Sequence, residues 1–255
     1  EKNMRALFRY LLALAALLAI WQIGSLALGE FLLPRPLDVL AYFGEALTTG
    51  VFWQHAWASA WRVLSAMSLA WLVAFPLGLI LGHVRSVDNT LSPMVFLTYP
   101  LPKIVLLPLF LTLFGLGDLP RVLLIALTTG YQILVVTRAS AQGLDKKYLD
   151  SFRSLGGTPL QMLRHVLIPA ALPDAMTALK VASGTAVAVL FMAESFATRR
   201  GLGFLIMDAW GRGDQLEMFT GILAMSLLGV ALYELCNVLE TRSCRWRNFH
   251  MAGKR

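Results

Sequence analysis

Charge-free apolar runs alternate with short polar, basic segments along almost the whole chain. Tyr10 to Leu28 is nineteen residues without a formal charge and Val63 to Gly82 is twenty. Each is long enough to cross a hydrocarbon layer about 30 Å thick at about 1.5 Å rise per residue. The apolar region from Leu91 to Arg138 is too long for one crossing. The turn-like FGLGDLP at 114–120 divides it into two, over 93–115 and 120–138. Asp174–Ala197 and Met218–Glu240 complete six predicted passes, so the fold class is all-α and polytopic, one transmembrane domain over 1–255. The first run has a second reading as a signal peptide, since Lys2, Arg5 and Arg9 precede it and Ser25, Ala27 and Gly29 follow. It is longer than a signal core, however, and six passes sort the charges where five do not.

On the six-pass map Lys2, Arg5, Arg9, Arg85, Arg138, Lys146, Lys147, Arg153, Arg164, Arg242, Arg245, Arg247, Lys254 and Arg255 share one side. These are fourteen of the 22 Lys and Arg residues, so that side is cytoplasmic and both termini lie inside, with a cytoplasmic loop at 141–170 and a tail at 241–255. The composition agrees: 57% of residues are hydrophobic and only 15% charged. A net charge of +7 raises the question of nucleic acid, but the cations cluster at the ends of apolar runs, as membrane topology requires. The external segments are short. LPRP at 33–36 introduces an interfacial helix before Ala56, and the glycines and charges of RRGLGFLIMDAWGRGD forbid continued burial in lipid between Thr198 and Glu217.

Cys236 and Cys244 lack CxxC spacing and a histidine cluster, so both read as reduced structural thiols. His55, His83, His165 and His250 are scattered and read as hydrogen-bonded surface or interface residues. The chain has no GxxxxGK[ST] motif. Its only Gly-Lys pair, Gly253-Lys254, has no glycine five residues ahead and is followed by Arg255. With no G-x-S-x-G, no HExxH and no nucleophile beside a base, the chain is not read as an enzyme.

The polar loop DSFRSLGGTPLQMLRHVLIPAALP holds two amphipathic rods. Tyr148, Leu149, Phe152 and Leu155 recur at helical spacing before Gly156 and Gly157, which end a helix without Cβ strain. Thr158, Pro159 and Gln161 then form a capping box, and Leu160, Leu163, Val166 and Leu167 make a second apolar stripe predicted to stop at Pro169. Such a pair lies on lipid, reads DNA, or docks into a protein; tethering by a pass on each side argues against DNA.

Asp150, Ser151, Phe152, three residues, Gly156, nine residues, Val166, Leu167, Ile168 and Pro169 resemble the EAA loop of ATP-binding cassette importer permeases. Asp replaces the usual Glu, and Ser and Phe replace the two alanines. LPRPLDVL, LPLFLTLFGLGDLPRVLLIAL and GLGFLIMDA extend the resemblance from about Leu33 to Arg247, to type I permeases of the nitrate, taurine, sulfonate and bicarbonate group. The resemblance implies a bacterial inner-membrane subunit that pairs with a second copy and works by alternating access. Its expected substrate is a small oxyanion or sulfonate, delivered by a periplasmic or lipid-anchored binding protein. It further implies a cytoplasmic ATPase dimer that carries ATP and Mg, with no cofactor in this chain. Asp150, Ser151, Phe152, Arg153, Leu155, Gly156 and Gly157 would then form the coupling element, with Phe152 and Leu155 as apolar anchors, Gly156 and Gly157 admitting the ATPase backbone, and Arg153 or Asp150 holding orientation. The rival class, a secondary transporter or channel working without ATP, calls for a mid-membrane carboxylate cluster or an inverted repeat, and the sequence has neither.

A charge at the centre of a transmembrane helix costs about 2.5–3.5 kcal/mol on insertion scales, so such residues mark packed protein or a path. Lys103 follows Pro100 and Pro102 and precedes Pro108, which should break the third pass there. It reads either as a station for a passing anion or as a snorkelling structural cation. Thr112, Tyr131, Gln132 and Glu194 are the further path candidates, and Thr128 and Thr129 share the ambiguity of hydroxyls that equally bond a neighbouring helix. Glu194 alternatively pairs with Arg62, Arg199 or Arg200. It lies fourteen residues from Lys180, too far along one helix to pair with it. Ala178, Ala182 and Ala186 present a small-residue face for helix or subunit contact.

Overall fold

A computed structural model describes residues 2–246, apart from the side chains of residues 2–7 and 10. Arg247, His250, Gly253, Lys254 and Arg255, and the side chains of Lys2 and Arg5, lie outside the described residues. All regular structure among the described residues is helical: α1 (Lys2–Leu28), α2 (Pro36–Ala46), α3 (Gly50–His83), α4 (Arg85–Thr98), a 3₁₀ turn (Lys103–Leu106), α5 (Leu107–Phe114), α6 (Asp118–Gln142), α7 (Lys146–Ser154), α8 (Pro159–Met162), a π turn (Leu163–Leu167), α9 (Ile168–Glu194), α10 (Leu202–Arg212) and α11 (Gln215–Ser243). Five helical stretches are long and apolar enough to cross a membrane, or six if α4 and the 103–114 segment, bent by 87° at their break, count as one span.

Two expected boundaries are corrected. The second pass begins at Gly50, thirteen residues before Val63, because VFWQHAWASAWR is apolar on enough of its circumference to continue the helix outward. The third pass breaks where Pro100 and Pro102 were expected to break it: they remove two backbone donors, and α4 gives way to a turn before α5. The second rod of the polar loop does not stop at Pro169. A single helical stretch runs from Pro159 to Glu194, because the Ile168 N–H bonds the Leu163 carbonyl five residues back. That widened turn draws the preceding carbonyls away from the Pro169 ring, the usual way a proline is admitted to a helix.

The chain divides into two compact units. One comprises residues 1–59 and 199–226. In it the Trp21 indole N–H donates to the Pro34 carbonyl at 3.0 Å. His55 stacks on Phe204, and its Nδ1 lies within hydrogen-bond distance of both the Gly201 N–H, at 3.2 Å, and the Gly201 carbonyl, at 3.1 Å. The hydrogen-bonded role read for this histidine is the one it has. α10 buries Leu202, Leu205, Ile206 and Ala209 and ends at Gly213 with φ 75°. Beside it Arg212 binds Asp208 and Glu217 at 2.9 and 2.5 Å, and these two carboxylates raise its pKa above the ordinary arginine value. Burial, then Glu217 and Asp214, raise that of Tyr42.

The other unit comprises residues 60–198 and 227–255. Its centre is α6. Arg121 meets Ala193, Gln132 meets Thr185 and Ser140 meets Asp174, so α6 and α9 run antiparallel in register. Ala178, Ala182 and Ala186 are buried within this chain, which makes that face a helix contact. α3 approaches the opposite side of α6 through Gly78 and Gly82, spaced four apart. A Cβ at Gly82 would lie 2.5 Å from that of Ala141 and 2.8 Å from the Arg138 carbonyl; one at Gly78 would lie 2.7 Å from Thr137 Cβ. Leu79, Ala141 and Ala171 close the core at one end of α6, and Leu107, Leu124 and Ala193 at the other.

This packing makes a direct prediction. Gly82→Val should lower the thermal stability of the detergent-solubilised protein by the about 1–3 kcal/mol typical of overpacking. Gly184→Ala, at a position where an added Cβ meets nothing within 4 Å, should leave it unchanged. Equal melting temperatures for the two variants would contradict the close α3–α6 approach.

Candidate functional site

Two regions of the larger unit collect the predicted site residues: the elbow between α7 and α8, and the polar positions of the broken third pass with α6 and α9. The elbow is capped at every end. Asp145 accepts from the Lys147 N–H at 3.0 Å to start α7. The C-terminus is a Schellman turn: Gly156, at φ 77°, donates to the Arg153 carbonyl at 2.9 Å and Gly157 to the Phe152 carbonyl at 3.2 Å. The Thr158–Gln161 capping box then starts α8, as its sequence requires.

The seven coupling candidates separate into two kinds. Leu155 is 85% exposed, and Tyr148 and Leu160 are 65% and 74% exposed, large apolar side chains with no cover in this chain. Asp150 and Arg153 are exposed and face each other at 3.8 Å. Ser151 is exposed on the same short helix. Phe152 is half-buried, and its ring lies over Gly157, where a Cβ would fall 2.1 Å from Cε1 and 2.4 Å from Cδ1. At Gly157 an added Cβ would thus meet Phe152 of this chain, and Gly156 has a positive φ with nothing within 4 Å of an added Cβ.

At the break in the third pass Lys103 folds back over the end of α4. Its Nζ donates to the carbonyls of Thr98 and Tyr99 at 3.1 and 2.5 Å and lies 4.3 Å from the Tyr131 ring centroid and 5.2 Å from that of Tyr99. The Tyr131 hydroxyl bonds Thr98 Oγ1 at 2.7 Å. Lys103 and Tyr131 are thus brought together. Gln132, one residue on, donates to Thr185 at 3.2 Å, and both side chains are half-buried. Thr112, Thr128 and Thr129 each donate to the carbonyl four residues back on their own helix.

Glu194 has no exposed surface and accepts from Arg62 Nη1 at 2.7 Å, the ion pair of its two readings. Arg62 also donates from Nε to Asp118 at 2.7 Å. Beside them lies Arg121, wholly buried, which donates to the carbonyls of Leu116, Gly117, Ala193, Phe196 and Ala197. This one guanidinium satisfies the C-terminal carbonyls of α9 and the turn before α6, and it holds Ala197 at the unusual φ of 52°. Sequence reasoning missed Arg121 and Asp118; their signal was two charges flanking the DLPR turn at the mouth of an apolar run. It also missed Tyr99, Thr185 and the clamp in which Arg138 holds Asp88 with two bonds of 2.6 and 2.8 Å. Lys180 binds Glu240, and its Nζ lies 3.4 Å from Asn237 Oδ1. Among the described residues no three His, Cys, Asp or Glu side chains are grouped to hold a metal ion.

The family model described as binding-protein-dependent transport system inner membrane component matches residues 74–243, the stretch that contains the elbow, α6 and α9. The chain belongs to that family. The permease is 30% identical to the taurine transport system permease protein TauC of Escherichia coli, over 91% of this chain and 87% of the relative. It is 32% identical to the riboflavin transport system permease protein RibX of Chloroflexus aurantiacus, over 91% and 88%. It is 28% identical to SsuC of Bacillus subtilis, named for aliphatic sulfonates transport, over 93% and 87%. A solved inward-facing structure of the MetNI methionine ABC transporter shares its fold, with a TM-score of 0.66 at 18% identity over 75% of this chain and 95% of that one. The protein is accordingly a multi-pass permease subunit of an ATP-binding cassette importer.

The buried ion cluster yields a stability prediction. Arg62→Met should cost about 3–5 kcal/mol, because it withdraws a guanidinium from a fully buried carboxylate. The double variant Arg62→Met/Glu194→Met should recover most of that in thermal unfolding. A double variant as unstable as the single would argue against the pair as the reason.

Proposed function

We propose that the permease imports a small oxyanion or sulfonate through a path shared by two copies of the chain, by alternating access driven through its cytoplasmic elbow. The observation that carries the reading is the pair of exposed leucines at the elbow, Leu155 and Leu160, set on a rigidly capped turn with Tyr148 alongside. Uncovered apolar side chains at the turn that follows a short basic helix suit a groove in a cytoplasmic ATPase dimer, which binds ATP and Mg and does the hydrolysis. Asp150 and Arg153, exposed beside them, suit orientation of that contact by charge. The basic residues around the elbow support a cytoplasmic location for it and for both termini, in an inner membrane. A periplasmic or lipid-anchored binding protein delivers the solute from the other side.

The anionic character of the solute rests on Lys103. Arg62, Arg138 and Lys180 each bind a carboxylate, whereas the Lys103 ammonium is held by carbonyls and aromatic faces. These neutral partners hold the ammonium in place and leave its charge available to an anion. Two of the three relatives' names support the class, since taurine and aliphatic sulfonates both present a sulfonate, whereas riboflavin does not.

Two measurements test this on the complex reconstituted with its ATPase and binding protein. Gly156→Asp or Leu155→Asp should leave the permease inserted while abolishing stimulation of ATP hydrolysis by loaded binding protein; undiminished stimulation would refute docking at the elbow. Lys103→Met should reduce import of an anionic solute about 10- to 100-fold, the value of one charge-assisted hydrogen bond. Unchanged import would remove Lys103 from the path.

A further inference from the structure

The elbow has an internal joint. In a Schellman turn the residue three from the helix end and the residue two beyond the cap commonly touch through their side chains. Here those positions are Phe152 and Gly157, and the two backbone bonds that define the turn are both present. The second position is bare, and the phenyl ring fills its space so closely that even a methyl group would fall 2.1 Å from a ring carbon. We propose that Phe152 is an internal residue of the elbow and not a contact for the ATPase: its ring takes the space that Gly157 leaves, so that a side chain at 157 would force α7 and the long helix beginning at Pro159 apart, while Leu155 and Leu160 meet the partner.

Three observations carry the assignment. Phe152 is half-buried at a place where Leu155, three residues on, is almost entirely exposed, so the two side chains do different work. Gly157 has an ordinary backbone conformation, since only Gly156 of the pair shows a positive φ. Its lack of a side chain is therefore explained by the ring and not by the turn. The chain also departs from the EAA pattern at this point, with Phe where that pattern has alanine, and the space an alanine would leave above Gly157 is what the ring occupies. Phe152 and Gly157 act as a matched pair: bulk on one side demands its absence on the other. The joint matters because the segment on its far side runs unbroken to Glu194. A few degrees at the elbow become ångströms at the end of so long a lever.

The inference rests on the docking role proposed above, and its test separates the two. Import and ATP hydrolysis are measured together in proteoliposomes holding the permease with its ATPase and binding protein, for Gly157→Ala, Phe152→Ala, Phe152→Tyr, the double variant Phe152→Ala/Gly157→Ala, and Leu155→Asp. Gly157→Ala should cut solute imported per ATP hydrolysed about tenfold through overpacking of the joint, while permease abundance and co-purification with the ATPase persist. Phe152→Tyr should behave as wild type, and Phe152→Ala should fall no more than about threefold, because removing the ring loosens the joint without forcing it open. The double variant should climb back to the Phe152→Ala level. Wild-type coupling in Gly157→Ala, or a double variant as poor as Gly157→Ala, would overturn the proposal. Phe152→Ala as poor as Gly157→Ala would overturn it too, by making the ring itself the contact. Normal coupling in Leu155→Asp would instead strike the docking role and leave the joint to be judged by the other four variants.

Discussion

The absence of water in a hydrocarbon layer is the constraint from which most of the larger unit follows. A charge or a backbone carbonyl buried there must find its partner inside the protein. Arg121 meets this demand five times over, on carbonyls that the end of α9 and the turn before α6 leave open. Arg62 sits between Asp118 and Glu194, Arg138 grips Asp88, and Lys180 holds Glu240. Each pair joins different segments, so neutralising charge and fixing helix register are accomplished by the same bonds. Small residues then let the segments approach: Gly78 and Gly82 bring α3 onto α6, and alanines on α9 bring it onto the opposite side.

Lys103 shows the constraint relaxed in a specific way. Its proline-flanked position breaks the helix, and a broken helix exposes carbonyls that a cation can cap. The ammonium therefore stabilises the break that places it there, with the Tyr99 and Tyr131 rings around it. Carbonyls and rings neutralise a full charge only in part, which distinguishes this position from the three paired cations.

How much of this was legible in the sequence depends on the range of the signal. Runs without charge declare the spans, and the capping box at Thr158–Gln161 appears where its residue types put it, because both depend on neighbours a few positions apart. Helix ends were less legible. The start of α3 at Gly50 and the passage of α9 through Pro169 depend on packing and on a π turn that no local pattern announces. Pairings across the fold were least legible. Arg62 was one of three cations offered to Glu194, and Arg121 was not singled out at all, since a residue that binds only carbonyls has no complementary charge to betray it. Phe152 resembled its neighbour Leu155 as an apolar residue on one helix face, and only the closeness of Gly157 separates a joint from an anchor.

The length of the helix that follows the elbow gives these local facts a common mechanical meaning. From Pro159 to Glu194 is 36 residues, about 54 Å at helical rise, and the π turn at Leu163–Leu167 keeps the stretch continuous across Pro169 where a break would have let the elbow move alone. Along that length α9 is tied at Asp174 to Ser140, at Lys180 to Glu240, at Thr185 to Gln132 and at Glu194 to Arg62. A displacement that the elbow passes beyond the π turn and Pro173 acts on these ties. It must either carry α6 along or exchange these bonds in sequence, and the ties near the elbow are more exposed than the wholly buried one at the far end. Exposed polar contacts are readily traded for water and buried ion pairs are not. Under the proposed docking at the elbow, motion that begins there would loosen the helix pair progressively, with the Arg62–Glu194 and Arg121 cluster as the fixed end.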